Sequence, residues 1–322
     1  MTIEAKSHQQ QRPRRSLMKR LGISFMDGSR VQRSDLVMAL ILFLPGFIIL
    51  VLLGTYPIFS ILSMAFQKRT LFDVSGTWAG LENFVTVLSS KLFWIALKND
   101  VIYTLTTVPI QTILGLGVAL LLNQNFPFRN IFRSFLLFSY IVPTTVAAII
   151  WRFMLSDSVG ILYYGVKTLH LPIQNTWFST PDTAMPTVIL ITVWKFFPFM
   201  VINFLAGLQT IDTQLIEAAR VDGANHWQAF RHVTLPMLMP VIIMVMLLRT
   251  IWTFNSWDVI ALLTNGGPID STTTLPLLIY NTTFGEFNMG RAAALAFVTM
   301  LILVASMIIY MRFYRRTEEN LQ

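Results

Sequence analysis

Glu217-Ala-Ala-Arg-Val-Asp-Gly-Ala-Asn-His-Trp-Gln-Ala-Phe-Arg-His-Val-Thr-Leu-Pro236 is a polar island between two long apolar runs, residues 184–208 before it and 237–263 after it. Asp212, just upstream, can cap a short helix carrying Leu215, Ile216 and Ala219, with Glu217 in its first turns near the positive dipole end. Gly223 permits a sharp reversal. A second short helix then presents Trp227, Phe230 and Arg231, and Pro236 stands where the next run begins, a position that tolerates its missing N–H. Two short helices with exposed aromatics, held against a membrane, make a docking knob for another protein.

Four further apolar runs, residues 36–66, 101–122, 131–155 and 292–311, bring the total to six. A helix needs about 20 apolar residues to cross the hydrocarbon, and each run reaches that length. Alternating apolar and polar segments of the kind that build membrane strands are absent, so the runs predict helices. Composition agrees: 54% of the 322 residues are hydrophobic and 12% charged, with a mean hydropathy of +0.61, whereas soluble chains carry about 25% charge. The expected fold is an all-α membrane protein with six transmembrane helices. Its domain plan is a basic tail 1–35, a membrane domain 36–315 containing the loop 212–236, and a short tail 316–322.

Lys and Arg set the orientation, because cytoplasmic flanks accumulate them. With the N-terminus inside, fifteen fall on cytoplasmic segments, six on external ones, and Arg152, Lys195 and Arg249 within spans. Both termini are therefore expected in the cytoplasm. The net charge of +8 sits mainly in the tail and at Arg312–Arg316, where anionic headgroups attract it, so lipid rather than nucleic acid is the expected partner. The long polar lead and the long run after it predict a permanent first span instead of a cleaved signal.

Cysteine is absent, which excludes disulfides, thiolate catalysis and Cys-held metals. No phosphate loop, H-E-x-x-H or G-x-S-x-G occurs, and the four histidines are scattered. The chain is expected to be no enzyme and to bind no cofactor or metal itself.

The loop resembles the signature of ABC importer permeases: Glu-Ala-Ala, three residues, Gly, nine residues, then Ile-x-Leu-Pro, with Val233 in the Ile position. Around it, Gly80-Leu-Glu-Asn-Phe84, Phe128-Arg129, Tyr140-Ile-Val-Pro143, Trp151-Arg152, Trp194-Lys-Phe-Phe-Pro-Phe199, Leu263-Thr-Asn-Gly-Gly-Pro268 and Tyr280 resemble the carbohydrate-uptake branch, of maltose and glycerol-phosphate type. The resemblance covers roughly residues 36–315. It implies a type I importer permease fold in a bacterial inner membrane. The implied partners are a second, homologous permease, two copies of an ATPase subunit that hold ATP and Mg, and an external solute-binding protein. It also implies that the loop is the coupling helix, and it carries over Glu217, Ala218, Ala219, Asp222 and Gly223; Trp227 and Phe230 join them from the knob.

Polar groups at membrane depth are costly and point to a cavity or a partner. Arg249, Trp252, Thr253 and Ser256 recur at i, i+3, i+4 and i+7, one face of the fifth helix. Lys195 lies near the centre of the fourth run, with Phe196 and Phe199 close by and Pro198 free to break local hydrogen bonding. Tyr140 joins these by family position. Aromatic faces beside fixed donors suit a sugar, and two midspan cations raise the prospect of an anionic sugar derivative. At 100° per residue Asp258 falls opposite Arg249, so the two are not expected to pair. Two rivals are weighed. An ion-coupled secondary transporter would have Asp258 as its one plausibly placed carboxylate and no need of the loop; a membrane scaffold would have no need of polar stripes.

Overall fold

The computed structural model describes residues 33–73, 75–156, 159–170 and 176–319, with backbone alone at 33–36 and 316–319. The remainder of the two expected tails lies outside the described residues. The chain divides at Ile58 into two units. The first holds α1 (Arg33–Leu50), which continues through a π-helical turn, Val51–Thr55, into α2 (Tyr56–Ala65).

In the second unit a two-residue hairpin follows, β1 (Gln67–Lys68) antiparallel to β2 (Thr77–Trp78). Then come α3 (Glu82–Ser89), α4 (Lys91–Asn123), α5 (Arg129–Ile141), α6 (Thr144–Met154), α7 (Ile161–Thr168), α8 (Pro181–Gln209) and α9 (Thr213–Val221). The chain ends with α10 (His226–Ala229), α11 (Leu235–Phe254), α12 (Asp258–Leu263), α13 (Leu275–Phe284) and α14 (Met289–Glu319). Among the described residues five helical segments are long and apolar enough to cross a bilayer, and α5 with α6 makes a sixth if that bent pair is one span.

Three expectations are corrected by local chemistry. The run 131–155 is not one straight helix: α5 and α6 meet at 92°. Pro143 offers no N–H and drives Val142 out of helical geometry, to φ −53 and ψ 129. The run 237–263 ends early, at Phe254, because Asn255 bonds its own side chain back to the Ile251 carbonyl at 2.9 Å and Ser256 bonds Asp258 at 3.0 Å, where α12 starts. Conversely α8 runs unbroken through Pro186 and Pro198, so Pro198 does not open the fourth span.

α4 packs most extensively on α8. Small residues permit it: a Cβ on Gly115 would stand 2.4 Å from that of Met200, and one on Gly207 would stand 2.7 Å from Leu238 of α11. Such close approach is the usual device of helix pairing in lipid, where burial of apolar surface supplies no drive. α4 also holds the irregular segment before α13. Asn99 donates to the carbonyls of Asp270 and Thr273 at 2.9 and 3.0 Å, and the Asp100 carboxylate accepts from the Leu275 amide at 3.3 Å, the first of α13. This segment is the turn expected at Asn265–Pro268. Asn265 and Gly266 have φ of +50 and +86, and a Cβ on Gly266 would meet Thr273.

Candidate functional site

A cavity of about 320 Å³ is lined by Tyr103 of α4, Tyr140 of α5, Thr192 and Phe196 of α8, Arg249, Trp252 and Thr253 of α11, and Asn255, Ser256, Trp257 and Asp258 beyond it. Six of the eight residues expected on the pathway meet here: Tyr140, Phe196, Arg249, Trp252, Thr253 and Ser256. Phe199 stands behind the wall, its ring 6.2 Å from Tyr140 and 5.1 Å from Trp252.

Arg249, 4% exposed, is held from three sides. Its Nε donates to Gln111 Oε1 at 3.1 Å, a terminal nitrogen donates to Thr253 at 3.3 Å, and the guanidinium lies 4.7 Å from the centre of the Phe196 ring. Gln111 in turn donates to the Thr192 carbonyl at 3.0 Å. The Thr192 hydroxyl uses its one hydrogen on the Val188 carbonyl at 2.8 Å, so the Tyr103 hydroxyl, 3.0 Å away, must be the donor to it. The guanidinium is thus fixed by a network that joins α4, α8 and α11.

Lys195 differs from expectation. It does not line the cavity. Lys195 is 3% exposed, and its ammonium donates to three main-chain carbonyls of the bent α5–α6 pair: Ser139 and Tyr140 at 3.0 Å, and Val142. Asp258 makes no ion pair with Arg249, as expected, but because α11 ends at Phe254 the helical projection does not extend to it, and it lines the same cavity. Tyr103, Gln111, Thr192 and Trp257 were missed. Gln111 is a polar residue amid the second apolar run, and the depth rule that picked out Arg249 would have found it.

The loop 212–236 is the second feature. Asp212 caps α9 by accepting from the Gln214 amide at 2.9 Å, as the sequence predicts. Glu217, the fifth residue of α9, lies beyond its first turn. α9 closes with a pair of reversing bonds, Ala224 N–H to the Ala219 carbonyl at 2.9 Å and Gly223 N–H to the Arg220 carbonyl at 3.0 Å. Gly223 at φ +91 sits at the pivot.

The expected second short helix is not separate from the span: helix continues from His226 to Phe254 through a π turn at Phe230–Thr234. Pro236 therefore lies within it. The π turn links the Leu235 amide to the Phe230 carbonyl, a shift in bonding just ahead of a residue with no amide hydrogen to give. Asn225 and Gln228 cap the entrance reciprocally, at 2.8 and 2.9 Å, a pattern readable as N-x-x-Q. Glu217, Ala218, Asp222, Gly223 and Trp227 are exposed, and Ala219 and Phe230 half-buried. Between α9 and α10 opens a cleft of about 390 Å³, lined by Ala219, Asp222, Gly223, Gln228 and His232 among others.

The family model for binding-protein-dependent transport system inner membrane components matches residues 111–319, which contain this loop and most of the cavity wall. The chain belongs to that family. It is a transport subunit and no enzyme, a multi-pass protein of the inner membrane with an ABC importer permease fold.

Among curated relatives of this permease is the inner membrane ABC transporter permease protein YcjO of Escherichia coli K12, 40% identical over 85% of this chain and 92% of that protein. The trehalose/maltose transport system permease protein MalF of Thermococcus litoralis is 35% identical over 83% and 88%. The sulfoquinovosyl glycerol transport system permease protein SmoG of Agrobacterium fabrum is 33% identical over 87% and 91%. Among solved structures, a chain of a bacterial ABC transporter involved in alginate import superposes with a TM-score of 0.75 at 22% identity, covering 88% of this chain and 96% of that one. That likeness concerns the fold. With family membership, the ion-coupled alternative is set aside.

Proposed function

We propose that this permease moves a sugar or sugar derivative from an external solute-binding protein into the cytoplasm by alternating access, driven by ATP hydrolysed on a separate subunit. The observation that carries the sugar reading is the cavity itself. It sets the rings of Tyr140, Phe196 and Trp252 beside the fixed donor Arg249 and the polar side chains of Thr253, Asn255, Ser256 and Asp258. Rings can stack on a sugar's C–H faces while fixed polar groups take its hydroxyls. Relatives named for trehalose/maltose and for sulfoquinovosyl glycerol support that class.

The assembly we infer has six spans with both termini cytoplasmic, a second permease, and two ATPase subunits that carry ATP and Mg. Residues 36–315 form the membrane domain between the two tails. The knob made by Glu217, Ala218, Ala219, Asp222, Gly223, Trp227 and Phe230 seats in the ATPase. In support, both its helices are capped, and Glu217, Ala218, Asp222, Gly223 and Trp227 are exposed, with Ala219 and Phe230 half-buried. The argument for an anionic cargo weakens: Lys195 is spent on carbonyls, and Arg249 shares its cavity with Asp258.

The test is reconstitution of the full complex in vesicles, with uptake of trehalose and of sulfoquinovosyl glycerol measured with and without vanadate. Vanadate-blocked uptake of either supports the proposal, and uptake driven by an ion gradient alone would sink it. Removing a charged hydrogen-bond partner costs about 1.5–3 kcal/mol, roughly ten- to a hundredfold. Arg249→Leu that weakens the sulfonated solute selectively by that factor supports the anionic version; equal loss for both solutes removes it.

A further inference from the structure

A cation buried at membrane depth is costly enough to need a reason, and the partners of Lys195 supply one. α5 ends at Ile141, and its last carbonyls lack intrahelical donors. Pro143 removes the amide that would have reached Ser139. The 92° turn carries α6 away, and the first bond at the start of α6 runs from Ala147 to the Pro143 carbonyl, leaving that of Val142 outside the helix. Three orphan acceptors at the negative end of a helix therefore face one ammonium with three hydrogens. Lipid has nothing to offer such groups. One of the three belongs to Tyr140, whose ring lies on the cavity wall, and Phe196, next to Lys195 in α8, forms the adjoining wall with its ring 6.4 Å from that of Tyr140.

We propose that Lys195 is a positioning residue: its ammonium clips the broken span to α8 and thereby sets Tyr140 on the wall of the solute cavity, without touching the solute. The proposal rests on the reading of the cavity as the transport route only for its consequence to uptake; the clip itself is a matter of geometry.

The chain's lack of cysteine makes the test direct. Tyr140→Cys introduces a lone thiol, and its rate of reaction with an anionic methanethiosulfonate, in the assembled importer, reads how far position 140 faces the aqueous cavity. Adding Lys195→Met is expected to slow that reaction about fivefold or more, the population change that follows the loss of one net hydrogen bond. Lys195→Arg, which keeps charge and donors, restores the rate. Lys195→Gln, with two donors and no charge, falls between and serves if the Met variant does not assemble. Ser256→Cys, on the same cavity but from the segment after α11, keeps its rate throughout. An unchanged rate at position 140 with Lys195→Met and Lys195→Gln overturns the proposal, as does an equal fall at positions 140 and 256, which marks general collapse. None of these readings requires transport, so failure of the clip and failure of the sugar assignment are separable.

Discussion

Gly223 gives the proposed coupling loop its sharpest test. Its φ of +91 belongs to the left-handed region, and nothing lies within 4 Å of where its Cβ would stand. Close packing within this chain therefore does not explain the glycine; backbone conformation does. An L residue held in left-handed geometry costs about 1–2 kcal/mol, and the two bonds that close α9 exist only while that geometry is kept. Gly223→Ala should populate the open turn by that amount, lowering the fraction of docking-competent loop about 5- to 30-fold. The fold should be untouched, since the site is open. Co-purification of the permease with its ATPase over a concentration series would read the fall in affinity, and uptake per ATP hydrolysed in vesicles would read the coupling. Gly223→Asn, the side chain that best tolerates positive φ, should retain more of both than Gly223→Ala, and Gly223→Val less. Wild-type affinity and coupling in the Val variant would refute the reasoning.

Three further outcomes follow from packing. Gly115→Val must push α4 off α8 at Met200, with an overpacking cost of about 1–3 kcal/mol, so its thermal midpoint in detergent should fall while Gly117→Val, where nothing lies within 4 Å, stays level; equal midpoints would count against the α4–α8 contact. Asn99→Ala removes two bonds of about 1 kcal/mol each, and limited proteolysis should cut the 264–274 segment faster than in the parent; an unchanged cleavage rate would disprove that tether. Gln111→Leu frees Arg249 of one acceptor, so uptake should fall with assembly intact, and an unaltered uptake rate would show that the network does not position the guanidinium.

The knob and the stripe along α11 were legible because both depend on neighbours a few residues apart. Asp212 before an apolar-spaced segment, Gly223 at its end, and Arg249, Trp252 and Thr253 on one helical face are local facts, and local geometry is what residue spacing encodes. The helix bounds were legible only to within their punctuation. Val142-Pro143 and Asn255-Ser256 sit inside runs whose average hydropathy hides them, yet each ends a helix by a bond it cannot make or by one it makes elsewhere. Asn83 shows the other limit. It sits in the Gly80–Phe84 motif, and its amide holds the Ala65 and Gln67 carbonyls at 2.9 Å, a tertiary bond that no periodicity announces.

Lys195 and Arg249 carry the same charge at similar depth in neighbouring helices, and the depth rule reads them alike. Their fates differ because of what the surrounding backbone lacks. Arg249 is met by side chains, those of Gln111 and Thr253 and the Phe196 ring. Lys195 is met by carbonyls left without helical donors at the proline-terminated end of α5. A buried cation answers the strongest unmet acceptor within reach, so a proline inside a neighbouring span competes with cargo for it. The sequence holds both halves of that inference, Pro143 in one run and Lys195 in the next. What it does not hold is their adjacency, which arises only when α8 packs against α5. A midspan lysine is therefore evidence for a solute site only after the orphaned carbonyls of adjacent spans have been counted, and here that count leaves Arg249 as the cation turned to the cavity.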